Sequence, residues 1–197
     1  MKINIVSFNV NGLKSFSKYI SLEYKDFNTY LLSNCIDILC IQESRGLESN
    51  LLEFKTLKDY IMFNAFNKKK NGMYGVSTFV KKNLYCSGYK IYISEELKEY
   101  CDEGRLLMTE HGDFKILNCY FPYIDDETYY SVMEKRERVL RFYNLVGEYL
   151  RKNKNIIICG DFNAMYSMMD SFVFVKELKR LCFEKDIEYN FYNIKKI

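Results

Sequence analysis

Five oxygen-bearing side chains stand at the carboxyl ends of three apolar runs in this 197-residue chain. Asn9 follows Ile3 to Phe8, Gln42 and Glu43 follow Ile36 to Ile41, and Asp161 and Asn163 follow Ile156 to Cys159 across Gly160. Carboxylates and amides at strand ends are where open α/β folds hold ligands. Hard oxygen donors grouped in this way suit Mg²⁺, which takes one or two carboxylates together with waters and substrate phosphate. The chemistry this points to is metal-assisted phosphodiester hydrolysis, in which a hard cation offsets the charge of the phosphate and of the leaving oxygen. The competing reading of each end alone is turn chemistry, because Gly, Asp and Asn are common turn formers.

Positioning three such ends on one rim needs strands side by side. Ile156 to Cys159, bounded by Asn155 and Gly160, reads as a fully buried strand with cover on both faces. Further strands are expected over Tyr60–Phe66, Gly75–Val80 and Tyr85–Ile93, with a hairpin from Leu106–Glu110 to Phe114–Phe121. Leu22, Phe27, Tyr30 and Leu31 give a helical stripe, Leu47 to Leu57 a short helix, Ser131–Lys152 a long one and Val173–Phe183 another. Ile187, Tyr189 and Phe191 alternate as a last strand. Many strands with few helices predict an α/β layered sandwich, and the absence of linker or repeat predicts one domain over residues 1–197.

Composition narrows the class. Hydrophobic residues make up 48% and charged residues 28%, as in an ordinary globular protein, and a net charge of +3 does not mark a strong polyanion binder. Seven cysteines, with no C-x-x-C pair and several inside apolar runs, predict buried free thiols in a reducing compartment. No apolar stretch is long enough to span a membrane, and the cytosol or nucleus follows as the expected location. Lys68-Lys69-Lys70 beside Asn71-Gly72 reads either as a solvated turn or as a grip on a phosphate backbone. His111, the single histidine, reads as an exposed residue before a turn.

Ser7-Phe8-Asn9-Val10-Asn11-Gly12-Leu13-Lys14, Asp37 to Ser44 and Gly160-Asp161-Phe162-Asn163 resemble the signature blocks of the exonuclease III family of apurinic/apyrimidinic (AP) endonucleases, within the endonuclease/exonuclease/phosphatase superfamily. Tyr74 to Phe79, Glu103-Gly104-Arg105 and Asn118 to Pro122 match in order, and Thr109-Glu110-His111 and Arg141-Phe142-Tyr143 lean towards the eukaryotic AP endonuclease 2 branch. The resemblance covers Lys2 to about Asp170. It implies a four-layer α-β-β-α sandwich, here with the C-terminal part of the second sheet missing. It implies a Mg²⁺-dependent DNA repair phosphodiesterase, with Mn²⁺ as an alternative ion. Such an enzyme cuts 5′ to abasic sites, acts on damaged 3′ ends and works in the nucleus.

The same resemblance implies roles. Glu43 is the main metal ligand, Asn9 holds the metal or its waters, and Asn11 lies near the metal and phosphate. Tyr120 binds the scissile phosphate and Asp161 orients or deprotonates the attacking water. Asn163 holds Asp161 or donates to a phosphate oxygen, both lying at the metal as well. Arg45 steers phosphate, and Asp170 is structural. Tyr123 stands where relatives often carry a polar residue. The family's later aromatic pocket, further Asp and terminal Ser-Asp-His have no match in the chain. An inert or nucleic-acid-binding remnant, and a phosphoesterase of RNA or of lipid and inositol phosphates, are the alternative expectations.

Overall fold

The computed structural model describes residues 2–123, 129–165, 167–170 and 172–184. The chain divides into two compact units, Met1–Phe162 and Asn163–Ile197, each treated by itself.

The first unit holds two four-stranded sheets. β1 (Ile5–Asn9), β2 (Ile38–Gln42), β3 (Tyr60–Ala65) and β4 (Val76–Lys81) form one in the order β1-β2-β4-β3. β5 (Gly88–Lys90), β6 (Leu106–Glu110), β7 (Lys115–Tyr120) and β8 (Ile156–Asp161) form the other in sequential order. β1 is parallel to β2 with Asn9 opposite Gln42, and β7 is parallel to β8 with Tyr120 opposite Asp161. The two registers carry the polar ends to the same rows.

Alternation along the strands builds the layers. Leu39, Ile41 and Phe79 face α1 (Leu13–Ile20), α2 (Phe27–Ser33) and α3 (Leu52–Lys55) in one core. Ile38, Cys40 and Val80 turn the other way and meet Ile116 of the second sheet. Leu117, Cys119 and Phe121 pack beneath α4 (Lys98–Asp102) and α5 (Tyr129–Lys152) through Tyr100, Phe142 and Val146. The result is the expected helix-sheet-sheet-helix sandwich. Phe27 anchors the first helical layer, with edge or tilted contacts to Phe16, Phe54 and Phe79 at 5.0–6.2 Å. Asp26 caps α2 by accepting from the Thr29 amide at 2.7 Å, a contact worth about 1 kcal/mol.

Several details depart from the sequence pattern. The stripe from Leu22 to Leu31 belongs to α2 only from Phe27, with Leu22 exposed in the turn that separates it from an earlier helix, α1, over Leu13–Ile20. Only three residues of the Tyr85–Ile93 stretch pair as a strand, and α4 was hidden because five residues are too few to show a period. β8 is not fully buried. It is the edge strand of its sheet among the described residues, its residues are half-buried and Ile157 is exposed. An unbroken apolar run therefore reported parallel pairing here, not double cover. Ile187–Phe191 lie outside the described residues.

Gly160 is dictated by this sheet. It sits at φ 147° opposite Cys119, where a Cβ would lie 1.9 Å from the Cys119 carbonyl oxygen. Only glycine lets β8 carry Asp161 alongside Tyr120.

The second unit contains a short turn of 3-10 helix, Met168–Asp170, and α6 (Phe172–Glu184). Asp170 accepts from the Ser167 amide at 2.9 Å. No helix of the described residues is long and apolar enough to cross a membrane.

Candidate active site

The loops after β1 and β2 are laced together before any side chain acts. Val10 N–H donates to the Gln42 carbonyl at 3.1 Å and Gly12 N–H to the Glu43 carbonyl at 2.8 Å. Ser44 and Arg45 donate to the Gly75 and Tyr74 carbonyls at 3.0 and 2.9 Å, which ties the rim to the start of β4. The cost of this shape is visible: Asn11, Glu43, Arg45 and Tyr74 all have positive φ, between 40° and 60°. Non-glycine residues held in that region cost on the order of 1 kcal/mol each and cluster at functional sites.

Asn9 is the hub. Its Nδ2 donates to Glu43 Oε1 at 2.8 Å and to Asp161 Oδ2 at 2.8 Å, so one amide joins carboxylates from the two sheets. Its Oδ1 accepts from the Asn11 backbone N–H at 2.9 Å. Tyr120 Oη donates to the same Glu43 oxygen at 2.9 Å. Arg45 takes the other oxygen, with Nε at 2.8 Å and a second guanidinium contact. Burial would raise the Glu43 pKa, but the donors Asn9, Tyr120 and Arg45 outweigh it and hold the carboxyl below its ordinary range. Burial, and then the bond to Glu43, push the Tyr120 phenol well above its usual value.

Beneath the rim a polar clamp joins the sheets. Gln42 Nε2 donates to Asn118 Oδ1 at 2.7 Å, and Asn118 Nδ2 reaches the Ser77 carbonyl at 3.1 Å and Thr78 Oγ1 at 3.2 Å. Behind Tyr120, the buried Arg105 guanidinium lies 3.9 Å from the Tyr74 ring centre and 5.1 Å from that of Tyr120. Arg105 is held by Glu103 at 2.8 Å, and Glu103 also receives Arg138 of α5 at 2.6 Å. Gln42 stood among the strand-end residues, but its clamp to Asn118 and the supporting roles of Asn118, Tyr74 and Arg105 were not assigned from sequence. Their signal was membership of the matching sequence blocks.

Asn9, Glu43, Arg45, Tyr120 and Asp161 thus come together, with Asn11 contributing its backbone. Asn163 opens the second unit, exposed and at φ 48°. Tyr123 is exposed. His111 is a correction. It is buried, with its ring nitrogens 2.9 Å from Thr109 Oγ1 and 3.0 Å from the Tyr85 carbonyl, and it stacks on Phe114. Burial lowers its pKa, partly offset by the Tyr85 bond. It follows β6 directly and bonds back to Phe114, just before β7, about 20 Å along the sheet from Tyr120 at roughly 3.3 Å per residue. Among the described residues the cysteines are free thiols, with Cys40, Cys101 and Cys119 buried but Cys35 exposed.

No group of three His, Cys, Asp or Glu residues gathers among the described residues. The donor set nevertheless fits a hard cation: two carboxylates offer oxygen ligands, held together by the Asn9 NH₂ between them, with Glu43 already balancing one positive charge from Arg45.

The chain matches the Endonuclease/Exonuclease/phosphatase family over residues 6–193 and belongs to that family. It is 26% identical to a DNA-(apurinic or apyrimidinic site) endonuclease of Dictyostelium discoideum, over 86% of this chain and 44% of that protein. It is 25% identical to DNA-(apurinic or apyrimidinic site) endonuclease 2 of Homo sapiens, over 93% of this chain and 42% of that protein. The chain therefore spans less than half the length of these curated relatives. The crystal structure of the Xenopus laevis APE2 catalytic domain shares the fold, with a TM-score of 0.66 at 24% identity over 92% of this chain and 66% of that one.

Proposed function

We propose that this member of the endonuclease/exonuclease/phosphatase family is a divalent-metal-dependent phosphodiesterase of DNA repair, cutting 5′ to abasic sites and trimming damaged 3′ ends in the nucleus. The observation that carries this reading is the single Asn9 amide shared at 2.8 Å by Glu43 and Asp161, with Tyr120 on the same Glu43 oxygen. The names of the relatives support DNA and abasic sites as the substrate.

Glu43, Asn9 and Asp161 would hold Mg²⁺, or Mn²⁺ in its place. When bound, that ion supplies positive charge against the phosphate and the leaving oxygen. Asp161, oriented by Asn9, positions the attacking water and takes its proton. Tyr120 and Arg45 turn their donors to phosphate oxygens, and Asn11 lines the phosphate path. His111 is buried about 20 Å along the sheet from Tyr120, so it does not reach the leaving group.

A second reading is a nucleic-acid-binding protein without turnover. The deciding experiment is nicking of an abasic-site duplex by the folded protein, with Mg²⁺ and with EDTA, beside Glu43→Gln. Metal-dependent nicking that the substitution abolishes supports the enzyme. Binding of the duplex without nicking supports the second reading, and neither binding nor nicking defeats both.

A further inference from the structure

A cavity of about 600 Å³ wraps the open edge of β3 where it meets β5, the edge strand of the other sheet. Neither the metal-binding rim nor the clamp uses it. Its volume lies within the range of small-molecule sites. One wall is aromatic: Phe63 and Tyr89 stand 4.9 Å apart with rings tilted by 37°, and Tyr89 is half exposed. The rest is rich in hydrogen-bond donors. Asn64 commits its oxygen to Ser77 at 2.8 Å and Asn67 commits its oxygen to the Lys69 and Lys70 amides at 2.9 Å, so both keep their NH₂ groups as donors. Lys55 and Glu48 neutralise each other, which leaves Lys68 as the surplus lining cation, bonded to the Tyr92 hydroxyl and 3.8 Å from Asp102 Oδ1.

The floor is built rigidly. Gly104, at φ 67°, lets its turn lie against the Phe66–Asn67 backbone, where a Cβ would come within 2.6 Å of the Phe66 carbonyl carbon. Lys68 N–H donates to the Asp102 carbonyl at 2.7 Å from the same side.

An occupant that suits these walls offers a flat π-face and several acceptors, with Lys68 able to turn from Asp102 to a phosphate. We propose that this cavity receives one unstacked nucleotide of the DNA strand, its base against Tyr89 and Phe63 and its phosphate towards Lys68. Position supports this. Ala65 pairs with Val76, which pairs with Gln42, so the cavity mouth shares the rim of Glu43. Two strand spacings, about 10 Å, separate them, which a DNA strand covers in about three stacked nucleotides. The inference rests on the proposed action on DNA, and it adds a place where bases beside the cut are held.

The test is carried out in EDTA, so that binding is read without turnover. DNA carrying 5-iododeoxyuridine at successive positions around an abasic site is irradiated with the protein, and the cross-linked peptide is mapped. Affinity is measured in parallel by fluorescence anisotropy for the wild type, Tyr89→Ala and Tyr89→Phe. The expected cross-link falls on Phe63 or Tyr89 from one position only. Tyr89→Ala weakens binding roughly 5- to 100-fold, the range for loss of one base–aromatic stack, while Tyr89→Phe retains it. DNA binding that is intact in Tyr89→Ala, with cross-links elsewhere, overturns the cavity assignment and leaves the proposed function standing. A wild type that binds no DNA overturns both. A self-association that Tyr89→Ala abolishes assigns the edge to a polypeptide and also overturns the proposal.

Discussion

Glu43 and Glu103 are alike by most measures and differ in what surrounds them. Both side chains are 12% exposed, both bond to arginine and both are held below the ordinary glutamate pKa against the opposing effect of burial. Glu103 is clamped by two cations, one of which, Arg105, is itself buried and stacked on Tyr74. Its backbone is relaxed, at φ −84°. Glu43 gives one oxygen to neutral donors and the other to Arg45, whose side chain is 48% exposed, and it sits at φ 53° between other left-handed residues. Burial and a lowered pKa therefore do not separate a site from a strut. An exchangeable partner and stored backbone strain do, because a ligand can replace Arg45 but nothing from solvent can replace Arg105.

The sharpest way to break this comparison is to remove Glu103. Glu103→Ala leaves the Arg105 guanidinium buried without a counter-charge, which costs about 3–5 kcal/mol. Urea unfolding followed by circular dichroism checks it, and a midpoint unchanged from wild type would show that Glu103 is no strut. The same truncation at Glu43 is expected to cost less, about 1–2 kcal/mol, since Asn9 and Tyr120 lose one shared acceptor while the half-exposed Arg45 can turn to water.

Tyr120→Phe asks the converse question. It removes one hydroxyl from the rim and keeps the ring that packs near Tyr74 and Arg105. If the hydroxyl serves the phosphate, turnover falls about 10²- to 10³-fold, as for other single donors to a transition state. Stability should shift by only about 1 kcal/mol, the net value of a hydrogen bond. Single-turnover cleavage and a thermal melt on the same sample separate the two effects. Loss of stability without loss of rate would move Tyr120 to the structural side.

The contrast between the two glutamates was only half legible in the sequence. The rim was readable because it is local: apolar strands ending in Asn9, Glu43 and Asp161 state their own chemistry, and parallel pairing of β1 with β2 and β7 with β8 carries them to one row. The strut was not, because Glu103, Arg105 and Arg138 meet across 35 residues of chain and no period marks a long-range ion pair. The same limit hid the Gln42–Asn118 clamp. His111 misled for a related reason. A polar residue next to Gly112 reads as exposed, yet stacking on Phe114 and two hydrogen bonds satisfy it inside. The edge position of β8 was also invisible, since Ile156 to Cys159 carries no sign of which neighbour it lacks.

Acid separates the glutamates more gently. A carboxyl whose folded-state pKa lies below its unfolded value adds stability that is complete above the unfolded pKa, about 4.3, and that drains away as pH falls through the folded value. Glu103 meets this condition through Arg138 and Arg105. Wild-type stability should therefore decline below about pH 5, and Glu103→Gln should decline less steeply over the same interval. Denaturant midpoints at pH 7, 5, 4 and 3 give both slopes. Equal slopes would remove Glu103 from the acid response.

The smallest effect probes whether Arg45 is a placeholder. An ion pair with a half-exposed partner contributes about 0.2–1 kcal/mol, so Arg45→Ala should leave the melting temperature nearly unchanged. Its consequence should appear instead in ligand balance. Without the guanidinium, the second Glu43 oxygen is free for a cation, and the Mg²⁺ concentration for half-maximal nicking should fall by up to about 5-fold, the ratio equivalent to about 1 kcal/mol. At saturating Mg²⁺ the KM for DNA should rise, because a phosphate donor has gone. Opposite movements of the two constants would mark Arg45 as a residue that trades Glu43 for substrate. A rise in both would mean that Arg45 holds Glu43 in place as Arg105 holds Glu103, and the distinction between site and strut would then rest on backbone strain alone.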